Sequence, residues 1–169
     1  MQVSFIIPLY NCLPLTQAML ASLRATIPAG FPHEIIFVDD DSTDGTREWL
    51  KSLATDPTIR VVLNERNLGY AAANNRGASL ARGDILALLN NDLVLPSRWL
   101  EPMLAAHRSL GSCAGLVGNV QLDAKTGAVD HAGLVVNLCG KPVHLRARPN
   151  FFSRQIGRAS CRERVCMLV

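Results

Sequence analysis

Three consecutive aspartates end an apolar run in FVDDDSTDGT, residues 37–46, and a fourth carboxylate follows at Asp44. Two carboxylates ~6 Å apart repel by about 0.7 kcal/mol in water, and by several times more in a partly buried cleft. The cluster is therefore either an open, solvated turn or a place where something bound uses the charge. Carboxylates also favour helix N-termini by ~0.3–1 kcal/mol, which accounts for Asp44 and partly for Asp41, but not for all four. A second polar group, Asn90-Asn91-Asp92, follows the apolar run ILALL. It reads as a capped loop, or as a lone strand-end carboxylate suited to Mg²⁺ or Mn²⁺ shared with substrate phosphates. Between the two lies NLGYAAANNRG, residues 67–77. Its Gly69 precedes a run of Ala and Asn, either for close helix–sheet packing or so that backbone N–H groups can approach a ligand.

The elements that must position these groups are legible as alternating patterns. VSFIIPL (3–9), EIIFVD (34–39), IRVVLN (59–64) and DILALLNND (84–92) are apolar runs without period-2 alternation. Between them lie segments of helical period at 13–27, from about Asp44 to Leu53, and from Gly69 to Ala81. Pro96 and Ser97 open a fourth, SRWLEPMLAAHRSL. Unalternating strands separated by amphipathic helices predict a parallel sheet covered on both faces, wound by right-handed crossovers into a doubly wound α/β layer. A fifth extended segment, CAGLVGNVQL, leads into a hairpin turning at Gly127.

In such a sheet, ligands bind outside the carboxyl ends of the strands. Taken in order, those ends are PLYN (8–11), DDDSTDG (39–45), NERNLGY (64–70) and NNDLVLP (90–96). Three are rich in Asp and Asn and the first carries Tyr10-Asn11, which alone is an ordinary turn. Polar chemistry is concentrated on one rim. His33, His107, His131 and His144 show no partner spacing and read as surface or structural residues.

Bulk properties exclude several classes. The chain has 169 residues, 49% of them hydrophobic and 18% charged, which suits one globular domain and neither a disordered nor a membrane-spanning chain. Of the net charge of +3, Arg158, Arg162 and Arg164 against Glu163 put +2 in the last fifteen residues. The remaining +1 argues against a nucleic-acid partner. MQVSFIIPLYN has no positive n-region and is broken by Pro8, so it reads as neither signal peptide nor membrane span. The five cysteines form no CxxC pair, which predicts reduced thiols in a cytoplasmic protein.

PLYN, VDDDSTDGT, NLGYAAANNRG and LLNNDLVLPSRWL, in that order on successive strand ends, resemble the family 2 glycosyltransferases of GT-A fold. The resemblance covers roughly residues 2–138, and GLVGNVQLDAKTGAVDHAG is similar to the stretch after the metal motif in bacterial cell-surface members. The family's usual VDDGS is VDDDS here, and its DxD motif is Asn90-Asn91-Asp92. The resemblance implies a Rossmann-like fold that binds a nucleoside diphosphate sugar. Asp40 would accept a hydrogen bond from the base, Pro8, Tyr10 and Asn11 would lie along the nucleoside, and Asp39 would hold the turn from beneath. Asp44 would cap the helix, and Asp41 would have no family role. Gly69 and Asn75 would border the nucleotide, Asn90 and Asn91 the ribose and sugar, and Asp92 would bind Mg²⁺ or Mn²⁺ on the diphosphate.

It further implies inverting transfer from a UDP- or dTDP-sugar to a glycan or lipid-linked glycan acceptor, in the cytoplasm or at the inner face of the plasma membrane, with at most peripheral membrane association. The catalytic base would lie beyond residue 154 and is not assigned. Residues 155–166, QIGRASCRERVC, have no hydrophobic period and can be written as codons beginning CAGATCGGAAGAGC, similar to a sequencing adapter read in frame. Residues 1–154 are thus expected to be the donor-binding part of a glycosyltransferase domain, and 155–169 a non-native tail matching no element. The alternatives are a non-catalytic nucleotide-sugar binding module and a phosphoacceptor receiver domain. The latter needs an acidic pair after the first strand, where this chain has Leu9-Tyr10-Asn11. A dinucleotide-dependent oxidoreductase is disfavoured because no GxGxxG follows that strand.

Overall fold

All seven residues of β1 (Val3–Leu9) are buried, so the unalternating run is covered on both faces, as its composition requires. The computed structural model describes residues 1–111, 116–123, 125–132, 134–136, 142–144 and 165–168. In chain order β1 is followed by α1 (Leu13–Thr26), β2 (His33–Asp39), α2 (Thr46–Ser52), β3 (Ile59–Leu63), α3 (Tyr70–Leu80), β4 (Ile85–Leu88) and α4 (Leu100–Leu110). β5 (Leu116–Gly118), β6 (Gln121–Leu122), β7 (Val129–His131), β8 (Leu134–Val136), β9 (Pro142–His144) and β10 (Val165–Leu168) complete the described elements. The main sheet has the order β3-β2-β1-β4-β10-β5. Its described pairings are all parallel, as the sequence predicts.

Two apolar layers hold the sheet. On one face Met19, Leu20 and Leu23 of α1 and Leu100, Met103 and Leu104 of α4 pack with Phe5, Ile7 and Phe37. On the other, Ile6, Ile36, Val38 and Val62 meet Ala73 of α3. There the helix sits close on the strands: a Cβ at Gly77 would stand 2.5 Å from Ile6 Cγ2 and 3.2 Å from Val38 Cγ2. The small-residue composition of α3 is thus a packing requirement.

The chain order reverses direction across the sheet between β1 and β4, the place where open α/β sheets leave a crevice. Pro8 helps to open it. Ile6 is in register with Leu88 and accepts from Leu89 N–H, so the next ladder position on that side of β1 belongs to Pro8. Proline has no N–H to give, and the β1–β4 ladder stops.

Three boundaries differ from the sequence reading. α2 begins at Thr46 and tightens into a 3₁₀ turn at Leu53–Thr55. α4 begins at Leu100 because Arg98 adopts φ +62°, left-handed backbone that a right-handed helix cannot include. The third concerns 155–169, expected to match no element: Val165–Leu168 forms β10, parallel to β4 and β5. Its backbone completes the ladder between β4 and β5, whose facing edges would otherwise lack a partner. The rest of that segment lies outside the described residues. The hairpin at Gly127 is as expected: β6 and β7 pair antiparallel, Gly127 has φ +68°, and its N–H donates to Asp123 O at 2.9 Å.

Candidate functional site

The acidic turn after β2 is held mainly by the protein's own donors. Asp39 is fully buried. Its Oδ2 accepts from Ser42 N–H at 3.2 Å and lies 3.4 Å from Arg47 Nε, while Oδ1 has no hydrogen-bond partner. Asp40, 4% exposed, accepts from Asn64 Nδ2 at 2.6 Å and Gly69 N–H at 2.7 Å. Leu68 N–H is shared between its two oxygens at 2.9 and 3.0 Å. Burial pushes the Asp40 carboxyl up, but the bonds from Asn64, Leu68 and Gly69 outweigh it and hold the group below the usual carboxylate range.

Asp41 gains a role the sequence did not suggest. Its φ is +71°, a region open to glycine and tolerated by Asp and Asn, which explains why the family pattern has glycine there. Its Oδ1 pairs with Arg47 Nη1 at 2.8 Å. Arg47 Nη2 donates to the Asn64 carbonyl at 3.0 Å, so one guanidinium ties the turn after β2 to the end of β3. Asp44 binds two helix starts: Oδ1 accepts from Thr46 N–H at 3.2 Å and Thr46 Oγ1 at 2.5 Å, and Oδ2 from Leu13 N–H at 2.9 Å. The Thr46 hydroxyl, with the Leu13 and Thr46 amides, holds its carboxyl below the ordinary value against some desolvation.

These shifts predict acid lability. Asp40, Asp44, Asp56 and Asp123 all have folded-state pKa values below the ordinary carboxylate value of 3.8. Such groups stabilise the fold above about pH 4, and that stability is lost as pH falls through their folded values. Urea midpoints should accordingly be flat from pH 7 to 5 and fall below pH 4. A midpoint that rises on acidification would contradict the bonding described.

The remaining candidates divide into those at the rim and those turned into the structure. Tyr10 is 51% exposed at the end of β1, and Pro8 is buried within the strand. Asn11, at φ +58°, accepts from Thr43 N–H at 2.8 Å and donates its own N–H to Ser42 Oγ at 2.7 Å, locking the β1 and β2 loops together. Gly69, at φ +85°, precedes α3 and is bound by Asp40. Asn75 is exposed, whereas its neighbour Asn74 is 7% exposed, with Nδ2 donating to Tyr70 O at 3.0 Å and Oδ1 without a partner. Asn90 Oδ1 accepts from Tyr70 Oη at 3.0 Å. Asn91 faces inward, its Nδ2 donating to buried Thr16 Oγ1 at 3.0 Å.

Asp92 is exposed, with no hydrogen-bond or ion-pair partner among the described residues. No cluster of three His, Cys, Asp or Glu surrounds it among those residues. A single free carboxylate does not form a protein cage, but it does fit a hard cation that completes its shell with water and phosphate oxygens.

Sequence reasoning missed Arg47, Asn64, Tyr70, Asn74 and Arg76, whose Nη1 donates to Asn64 Oδ1. One signal pointed to Arg47: a cation in the first turn of a helix opposes the macrodipole, so it needs a nearby carboxylate.

The doubly wound parallel sheet, with a polar rim at its switch point, defines a GT-A type fold. The chain belongs to glycosyl transferase family 2, whose domain it matches over residues 4–135. It is 35% identical over 121 residues to validoxylamine A glucosyltransferase of Streptomyces hygroscopicus subsp. jinggangensis, covering 66% of this chain and 28% of that protein. TarS 1–349 of S. aureus in complex with UDP-GlcNAc shares the fold at TM-score 0.63 and 24% identity, over 78% of this chain and 38% of that one. The mannosyltransferase PcManGT of Pyrobaculum calidifontis, in complex with GDP-Man and Mn²⁺, aligns at TM-score 0.58 and 27% identity, over 70% of this chain and 35% of that one. The chain spans less than two-fifths of the length of each of these three relatives.

Proposed function

We propose that residues 1–154 are the donor-binding part of an inverting glycosyltransferase that moves a sugar from a UDP- or dTDP-sugar to a hydroxyl acceptor. One observation carries the reading. At the switch point, the Asp40-held Gly69 turn and the unpartnered Asp92 carboxylate belong to strand ends on opposite sides of β1. That is the N-terminus of α3 on one side and a free acidic group on the other, the complement of a nucleoside diphosphate with a bridging cation.

Tyr10 and Asn11 line the nucleoside, with Pro8 ending the ladder beneath it. A base N–H reaches Asp40 when Leu68 N–H, shared between its two oxygens, settles on one of them and frees a lone pair on the other. Gly69 and Asn75 border the nucleotide and Asn90 the ribose and sugar, while Asn91, tied inward to Thr16, holds the loop that carries Asn90. A divalent cation on Asp92 would supply Lewis-acid neutralisation of the charge developing on the leaving diphosphate. Among the described residues no helix is long and apolar enough to cross a membrane. We place the protein in the cytoplasm, at most peripherally bound to the inner face of the plasma membrane.

Isothermal titration with UDP and dTDP, with and without Mn²⁺, tests the reading. Metal-enhanced binding is expected, and Asp92→Ala should remove most of the enhancement. Affinity that is independent of metal in the unmutated chain would refute the assignment of Asp92.

A further inference from the structure

Tyr70 is not singled out by the sequence, yet it is 58% exposed, more than any other tyrosine, tryptophan or phenylalanine among the described residues. Both of its ends are nonetheless fixed. Its hydroxyl donates to Asn90 Oδ1 at 3.0 Å, and its backbone carbonyl accepts from Asn74 Nδ2 at 3.0 Å. The preceding Gly69 is bonded to Asp40 at 2.7 Å.

The hydroxyl bond joins the first residue of α3, which follows β3, to the residue two beyond the end of β4. β1 and β2 lie between those strands in the sheet, so the ring reaches across the mouth where the strand order reverses. Tyr10, 51% exposed, stands at the end of β1 on the same rim. A half-exposed aromatic gains little stability from its surroundings. Tethered at both ends, however, it has already given up the side-chain freedom that binding would otherwise cost.

We propose that Tyr70 is a positioning residue for the nucleotide: held by Asn90, its ring is a preformed stacking wall for the nucleobase. The inference rests on the nucleotide-sugar reading above and assigns that site a residue beyond those the family resemblance implies. Every base has a π-face, so such a wall contributes affinity without choosing between bases.

The test is titration of the full chain with UDP and GDP, using the unmutated protein, Tyr70→Ala and Tyr70→Phe, with thermal midpoints measured in parallel. Removing the ring should weaken both nucleotides by about tenfold or more. Removing only the hydroxyl should weaken them about two- to tenfold, since the ring loses its tether to Asn90. Thermal midpoints should stay within about 2 °C of the unmutated chain, because an exposed side chain carries little of the fold.

Affinity in Tyr70→Ala that is unchanged or tighter overturns the proposal, the latter marking the ring as an obstruction. So does an affinity loss in both variants that tracks a fall in midpoint. An unmutated chain that binds neither nucleotide overturns the function reading and this inference with it. Binding retained by Tyr70→Ala overturns this inference alone.

Discussion

Asp40→Ala is expected to lower the stability of this domain by about 1–3 kcal/mol, because it strands the side-chain amide of buried Asn64. The groups that lose their acceptor are Asn64 Nδ2, Leu68 N–H and, in part, Gly69 N–H, which retains Asn67 Oδ1 at 3.0 Å. Leu68 and Gly69 lie in an exposed stretch where water can replace the carboxylate, so they add little to a loss that is already sizeable against a typical total of about 5–15 kcal/mol. Asp40→Asn should do little better, since its NH₂ group must face donors where a carboxylate oxygen accepted. Asp41→Ala, by contrast, removes one half-exposed ion pair and should cost about 1 kcal/mol or less. Nucleotide affinity should follow the same order, falling far more at Asp40 because the Gly69 turn loses its anchor. Urea unfolding and titration of the variants decide the matter, and equal effects at the two positions would refute the anchoring role.

Arg47→Met should cost about 3 kcal/mol, the penalty of leaving the carboxylate of fully buried Asp39 without its cation. The substitution also breaks the link to the Asn64 carbonyl, so the turn after β2 and the end of β3 are freed together. Adding Asp39→Asn to Arg47→Met removes the stranded charge and should recover part of the loss. A coupling energy of about 1 kcal/mol or more in that double-mutant cycle is expected for groups in one network. Strict additivity would show that Arg47 acts on Asp41 alone. Most of the charge of the three adjacent aspartates is consumed in building the rim, while Asp92, beyond the end of β4, has no partner among the described residues.

The order of elements was legible from residue pattern alone. VSFIIPL and EIIFVD lack alternation because both faces of β1 and β2 are covered, and period alone is enough to show that. Gly127 announced its turn because few residues other than glycine take φ near +68° without strain. Helix starts were less legible: nothing in SRWLEP reveals that Arg98 is left-handed, since that conformation is set by how the loop after β4 meets α4. VCML at 165–168 carried no periodic signal, and only a neighbouring strand edge makes it β10.

For the site, the sequence by itself determined which residue types stand at the strand ends, and hence that Asp and Asn gather on one rim. A strand's carboxyl end is a local property, readable wherever an apolar run meets a polar turn. Only the tertiary structure decided what each of them does. Asp39, Asp40 and Asp41 are adjacent in the chain, yet one is buried with an unpartnered oxygen, one staples a loop and one pairs with an arginine. Likewise Asn90 meets Tyr70 while Asn91 turns inward to Thr16. These fates depend on partners 6 to 75 residues away, brought within about 3 Å by the packing of α1, α2 and α3 on one sheet. Hydrogen bonds and burial act over ångströms in space, and a local pattern in the chain does not encode which distant donor will arrive there.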